Sequence, residues 1–178
     1  MTRSAPLELA TIPTPAGRLT VITDGAVVVA AGFAAAPQLS GRLAAATAAR
    51  GLRERGDLGA VTAAVHHYLA GDLSALDAVA VRQDGGEFAQ QAWAAMRRIP
   101  PGRTLTYAEL ATAAGSPAAA RAAGNACAAN LVAPFVPCHR VLPAAGGVGG
   151  YAYGAAVKRW LLDHEAGAAA VATGRVAG

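Results

Sequence analysis

Residues 105–130, LTYAELATAAGSPAAARAAGNACAAN, constrain the fold more than any other stretch. Thr106 and Glu109 stand three apart, as a capping box requires: the hydroxyl takes one orphan helix amide and the carboxylate takes another. The spacing predicts a helix from Tyr107 to about Ala114, closed by Gly115. Ser116 is placed to cap a second helix, and Pro117 suits its first position, where no N–H is needed. Asn130 ends that helix. Helix, tight turn, helix is the helix-turn-helix pattern, which serves DNA binding or, as plainly, an αα-hairpin in a core. Between Pro117 and Ala129 the only long charged side chain is Arg121; the rest is mostly Ala and Gly. A helix this thin either packs tightly on its neighbours or brings its backbone close to another surface. In the second case Arg121 is a projecting cation that fills a gap between bases or clamps a phosphate.

The flanking sequence predicts two units. LELATI and GRLTVITDGAVVVAAGF flank turn signals at Pro13–Gly17 and Asp24-Gly25, and Asp-Gly between apolar runs is a strong hairpin cue. Residues 34–58 read as a variable connector. Val61, Ala64, Val65, Tyr68 and Leu69 then share a helical face, stopped by Gly71. These predict an α/β domain over 1–82, built on a small antiparallel sheet with helices. QDGG at 83–86 reads as a linker. A mostly helical domain over 83–165 follows. Phe88, Ala92, Ala95, Met96 and Ile99 give one helix, ended by Pro100-Pro101. A glycine-rich loop at 144–154 precedes a last helix bearing Val157, Trp160, Leu161 and His164. Nothing argues for order from Ala166, so a disordered tail is expected over 166–178.

Composition narrows the class. The chain has 178 residues, 54% of them hydrophobic, which excludes a disordered protein. The longest apolar run, near 26–36, is too short to span a bilayer, and the N-terminus lacks a signal peptide's apolar core. No membrane partner and a cytoplasmic location are expected, with both cysteines free. Net charge is +4; residues 83–178 carry eight basic against five acidic side chains, which permits a nucleic-acid partner without establishing one.

Cys138 is the sharpest chemical signal, in APFVPCHRVLP. A core cysteine needs no histidine and arginine beside it, whereas a nucleophile needs a thiolate, which imidazole and cationic neighbours favour. The bland alternative is a structural core cysteine. A disulfide with Cys127 does not suit a reducing compartment. Zinc needs ligand pairs at short spacing, absent here, and no papain-like signature is present. For a nucleophile the base is His139, which reaches the sulfur only if the chain bends or a water bridges them; Pro137 makes a bend plausible. Glu165 or Glu109 would orient the imidazole, though capping competes for Glu109.

The motifs EFAQQAWAAMRRIPPGRTLTYAELA, ARAAGNACAAN, VPCHRV and GGYAYGAAVKRWLLDHE, in that order over residues 83–165, resemble the O6-alkylguanine-DNA alkyltransferases, also called methylated-DNA–protein-cysteine methyltransferases. The resemblance implies a ribonuclease H-like N-terminal domain and a winged-helix-like C-terminal domain. It implies a cofactor-free, metal-free suicide protein that works as a monomer on double-stranded DNA, entering by the minor groove and flipping an alkylated guanine (O4-alkylthymine is a further substrate). By position, Cys138 is the alkyl acceptor, and His139, through a water, and Glu165 deprotonate it. Asn130 holds the turn into the active-site segment. Tyr107 crowds the phosphate and donates to the leaving guanine. Arg121 is the finger that fills the vacated stack, on a DNA-facing surface with Ser116, Ala120, Ala122 and Gly124. Val148, Tyr151, Ala152 and Tyr153 line the base pocket.

The chain departs from the family where prolines usually follow the asparagine; here the run is Asn130-Leu131-Val132-Ala133, with the proline shifted to Pro134. That predicts a looser or reshaped approach to Cys138. Ala152 and Tyr153 replace a usual serine and glycine, so a narrower pocket is expected. The rival within the family's reach is a non-catalytic alkylated-DNA-binding module, which the presence of Cys138 counts against. A methylation-signalled transcription regulator would need a further DNA-binding domain.

Overall fold

The computed structural model describes residues 5–174; of the expected disordered tail, 175–178 lie outside the described residues. Strands β1 (Leu7–Thr14), β2 (Gly17–Asp24) and β3 (Val27–Gly32) form an antiparallel meander. The Asp24-Gly25 signal makes the second turn, with Gly25 at φ +61°. Two short helices follow, α1 (Ala36–Ser40) and α2 (Ala45–Ala48), then β4 (Leu52–Glu54), which pairs parallel with β1. The sheet order is β3-β2-β1-β4, so it is mixed where a purely antiparallel sheet was expected. The three-residue β4 is exposed throughout and carries no alternation to reveal it.

Leu19, Thr20, Val21, Ile22 and Thr23 of β2 are all buried, because both faces of the sheet are covered. One face carries Ile12, Leu19, Val21 and Val28. It packs on helix α3 (Ala60–Leu69) through Val61, Val65 and Tyr68, and the same core continues into Trp93, Met96, Phe135 and Leu161. The other face, with Leu7, Leu9, Ile22 and Val29, is closed by Leu39 and Leu131. The outer edge of β3 is not open: Ala31 N–H donates to the Leu131 carbonyl at 2.8 Å and Val28 N–H to the Ala80 carbonyl at 2.9 Å. A covered edge removes an aggregation template and, here, docks the segment leading to Cys138 onto the sheet.

Helix α4 (Glu87–Arg97) buries Ala92, Trp93, Ala95 and Met96. Strand β5 (Leu105–Thr106) pairs parallel with β6 (Val141–Leu142) and feeds α5 (Tyr107–Ala113). The capping box at its start is formed: Thr106 N–H donates to Glu109 at 2.6 Å and Glu109 N–H to the Thr106 hydroxyl at 3.2 Å. Helix α6 (Ala120–Ala129) begins later than Ser116-Pro117 suggested. Ser116 to Ala119 closes a separate turn, and no side chain caps α6. Trp93 Nε1–H donates to the Ala126 carbonyl at 2.9 Å, fixing α6 on α4.

Helix α7 runs Ala155–Gly174, through most of the stretch expected to be disordered. Alanine is the best helix former, and Ala169 packs against Gly102, so propensity and a local contact extend the helix where no amphipathic pattern announces it. Among the described residues no helix is long and apolar enough to cross a membrane.

Candidate active site

Cys138 opens a single 3-10 turn, Cys138–Arg140, after Pro137. Neighbours in an extended chain point oppositely, but a 3-10 turn sets them about a third of a revolution apart. The bend lets Cys138 face a cavity while His139 and Arg140 reach back to α7.

Glu165 of α7 gathers that rear side. Its Oε1 accepts from His139 Nε2 at 2.7 Å, Tyr68 Oη at 2.8 Å and Arg140 Nη2 at 2.9 Å. Its Oε2 accepts from Arg140 Nε at 2.9 Å and Gly102 N–H at 3.4 Å. Burial alone would raise the carboxyl, but hydrogen bonds from His139 and Arg140 outweigh it and hold Glu165 well below the usual carboxylate range. His139 moves the other way. Burial lowers it, Glu165 pulls it up, and the Arg140 and Lys158 charges lower it again, so the imidazole is neutral. With Nε2–H given to Glu165, the lone pair is on Nδ1. That nitrogen is buried and has no hydrogen-bond partner among the described residues. Buried polar atoms are nearly always partnered, so Nδ1 has a lone pair available to a bridging water.

Cys138 is itself buried, and burial pushes its thiol up; a hydrogen bond from Asn130 Nδ2 at 3.1 Å and the Lys158 ammonium pull it part of the way back. The group rests as a thiol and needs a base to react. The cavity in front of it measures about 350 Å³ and is lined by Tyr107, Gly124, Cys127, Tyr151, Tyr153 and Lys158, among others. That size falls within the ~300–1,000 Å³ of small-molecule sites. Burial pushes the second thiol in the cavity, Cys127, up to about 12, so it too rests as a thiol. Burial also raises Tyr107, keeping its hydroxyl a donor. Its ring lies over Gly124, where an added Cβ would already touch it at 3.8 Å. Tyr153 stands edge-on to both Tyr151 and Phe33 and reaches the Ala31 carbonyl of β3 at 3.4 Å.

The structure brings most of the residues singled out from sequence to one place. Cys138, Asn130, Tyr107, Gly124, Tyr151, Ala152 and Tyr153 line the cavity, and His139 and Glu165 stand behind it. Arg121 is exposed on α6, one turn before Gly124, with no side-chain partner among the described residues. Ala120 and Ala122 are half-buried beside it, as is Ser116 in the preceding turn. Val148 is half-buried outside the cavity lining, where Gly150 stands instead. Glu109 is spent on its capping box.

Arg140 does not favour the thiolate, as its place beside Cys138 suggested. Its guanidinium is committed to Glu165 and, at 2.6 Å, to the Ile99 carbonyl. The cation near the sulfur is Lys158, fully buried, with Nζ 2.8 Å from the Val141 carbonyl. Sequence reasoning passed over it, although it is the only lysine among fifteen basic residues and shares a helical face with Leu161 and Glu165. Tyr68 was read only as an apolar-face residue; its hydroxyl carried no signal. Gln83 was read as linker, yet its amide bonds to Asn130 and to Leu131 N–H. The approach to Cys138 is not loose either: Leu131 N–H, which a proline there would lack, is taken by Gln83, and Val132 N–H by Asn130 Oδ1.

Residues 87–167 match the family model of the 6-O-methylguanine DNA methyltransferase DNA-binding domain. The whole fold superposes on the Mycobacterium tuberculosis O6-methylguanine methyltransferase with a TM-score of 0.74 at 31% identity, covering 90% of this chain and 93% of that one. This chain belongs to the O6-alkylguanine-DNA alkyltransferase family. The same organism's OGT in complex with DNA superposes as well, with a TM-score of 0.74, 32% identity and coverage of 90% and 94%. The Salmonella typhimurium methylated-DNA–protein-cysteine methyltransferase is 43% identical over 90 residues, 51% of this alkyltransferase-family chain. That alignment spans 53% of the Salmonella protein, about half its length.

Proposed function

We propose that this protein repairs DNA by direct reversal, moving the alkyl group of O6-alkylguanine irreversibly onto Cys138. The observation that carries the reading is the orphan Nδ1 of a neutral, carboxylate-held His139 behind a buried thiol that opens on a base-sized cavity. The thiol proton passes to His139 Nδ1 through one bridging water, and Glu165 stabilises the imidazolium. The sulfur attacks the O-alkyl carbon; the S–C bond forms, the C–O6 bond breaks, and its electron pair stays on guanine. The Tyr107 hydroxyl donates a hydrogen bond to the leaving base, and the net proton lost by the thiol ends on guanine. The product is a thioether that water does not cleave, so one molecule repairs one lesion.

The DNA reading rests on α6. Apart from Arg121 its side chains are short, those of Ala, Gly, Asn125 and Cys127, thin enough for a minor groove about 6 Å wide. Arg121 occupies the space the flipped base leaves. The protein acts as a monomer on duplex DNA, in the cytoplasm, where Cys138 stays reduced. Incubation with a duplex holding O6-methylguanine adds one methyl mass to the peptide containing Cys138; bound DNA with unchanged protein mass overturns the reading and favours a non-catalytic lesion-binding module.

A further inference from the structure

The geometry points to Gln83, ahead of α4, as a positioning residue that fixes the side-chain amide of Asn130 so that its N–H groups face Cys138; the inference rests on Cys138 being the alkyl acceptor. Asn130 is buried and uses both ends of its amide. Nδ2 donates to the Val136 carbonyl at 2.8 Å and to Cys138 Sγ at 3.1 Å. Oδ1 accepts from Val132 N–H at 3.1 Å and from Gln83 Nε2 at 3.0 Å. A reversed Asn130 would set Oδ1 against the Val136 carbonyl and the thiolate, and Nδ2 against two donors. The thiolate would then lose its hydrogen-bond donor and face a lone pair.

Gln83 is an amide too, and the backbone decides its orientation. Leu131 N–H donates to Gln83 Oε1 at 2.8 Å, and an N–H can only donate. Gln83 Oε1 must therefore face Leu131, which leaves Nε2 facing Asn130 Oδ1. Leu131 N–H thus orients Gln83, and Gln83, together with Val132 N–H and the Val136 carbonyl, orients Asn130 toward the sulfur. A proline at 131 would supply no N–H, so Leu131 and Gln83 work as a unit. The arrangement also crosses the chain's organisation, since Gln83 lies outside the segment that carries the reacting groups.

Two substitutions separate positioning from packing. Gln83→Glu keeps the size and the acceptor for Leu131 N–H but turns an oxygen onto Asn130 Oδ1, driving that amide round. Gln83→Ala removes both contacts yet leaves Val132 N–H to hold Asn130. A packing role makes Q83A the worse variant; positioning makes Q83E the worse. Capture of Cys138 by iodoacetamide, followed by peptide mass across pH, reads the thiolate without DNA and keeps Cys127 separate. We expect the capture midpoint of Q83E to rise by about one pH unit, roughly a tenfold loss at fixed neutral pH, with Q83A between it and the parent. Methyl transfer from a duplex should fall in the same order. Q83A equal to or worse than Q83E, or a midpoint unmoved in Q83E, overturns the inference. If Q83E does not fold, Gln83→Met decides: an unmoved midpoint overturns, a raised one supports. A parent protein that captures iodoacetamide normally but takes no methyl group refutes the repair reading alone.

Discussion

Behind Cys138, the side chains of His139, Arg140 and Glu165 are buried and bonded to one another. In front of it, α6 presents Arg121 exposed and unpartnered, and much of the 144–154 loop is open to solvent. The rear packs a carboxylate, a guanidinium and an imidazole together, whereas the front spaces its cations, Lys158 in the cavity wall and Arg121 out on α6. Under the proposed function, the contrast separates two tasks. Proton transfer needs groups held at fixed distances in a dry setting, where a carboxylate and an imidazole act strongly. Meeting a polyanion of variable sequence needs a slim surface that adapts, with little to desolvate.

The contrast breaks most visibly at Glu165. Glu165→Gln leaves the Arg140 guanidinium buried without its counter-charge and should cost about 3–5 kcal/mol in urea unfolding at neutral pH. The folded Glu165 sits below its ordinary value of 4.5, so its contribution is present above that value and is lost as pH falls through the lower folded one. The gap between the variant and the parent should therefore narrow in unfolding runs well below pH 4.5; a gap independent of pH would place the cost in packing instead. Arg121→Ala sharpens the other side. Its stability should stay within about 0.5 kcal/mol of the parent, while repair in duplex DNA slows on the order of tenfold or more and reaction with free O6-alkylguanine base does not. Equal slowing of both would remove the flipping role. The smallest effect belongs to Tyr153→Gly, which opens the cavity wall: reaction with benzylguanine should speed up about tenfold, and no gain would show that the ring does not limit adduct size.

The paired helices, the Asp24-Gly25 hairpin and the place of Cys138 as candidate nucleophile were legible because each rests on local chemistry: a capping pair three residues apart, a two-residue turn, a sulfur between proline and histidine. Strand β4 was not, since three exposed residues pair with β1 by tertiary contact alone. The rear wall was half legible. His139 and Glu165 could be named, but the hydroxyl of Tyr68 and the amide of Gln83 act across long separations that no periodicity encodes. Arg140 misled for the same reason, because adjacency in sequence does not say which way a turn sends a side chain. Alanine-rich α7 beyond Ala166 hid its order by lacking a polar face to contrast with an apolar one.

Tyr153 rests on Gly32, and a Cβ there would fall on its hydroxyl and ring. With the ring where it stands, any side chain at 32 forces it to move, so the two sites are coupled. An alanine at 32 displaces the Tyr153 ring and so reshapes the cavity wall from the strand behind it. Under the proposed function, the adduct range is thereby tied to a glycine of the first sheet as well as to the pocket loop.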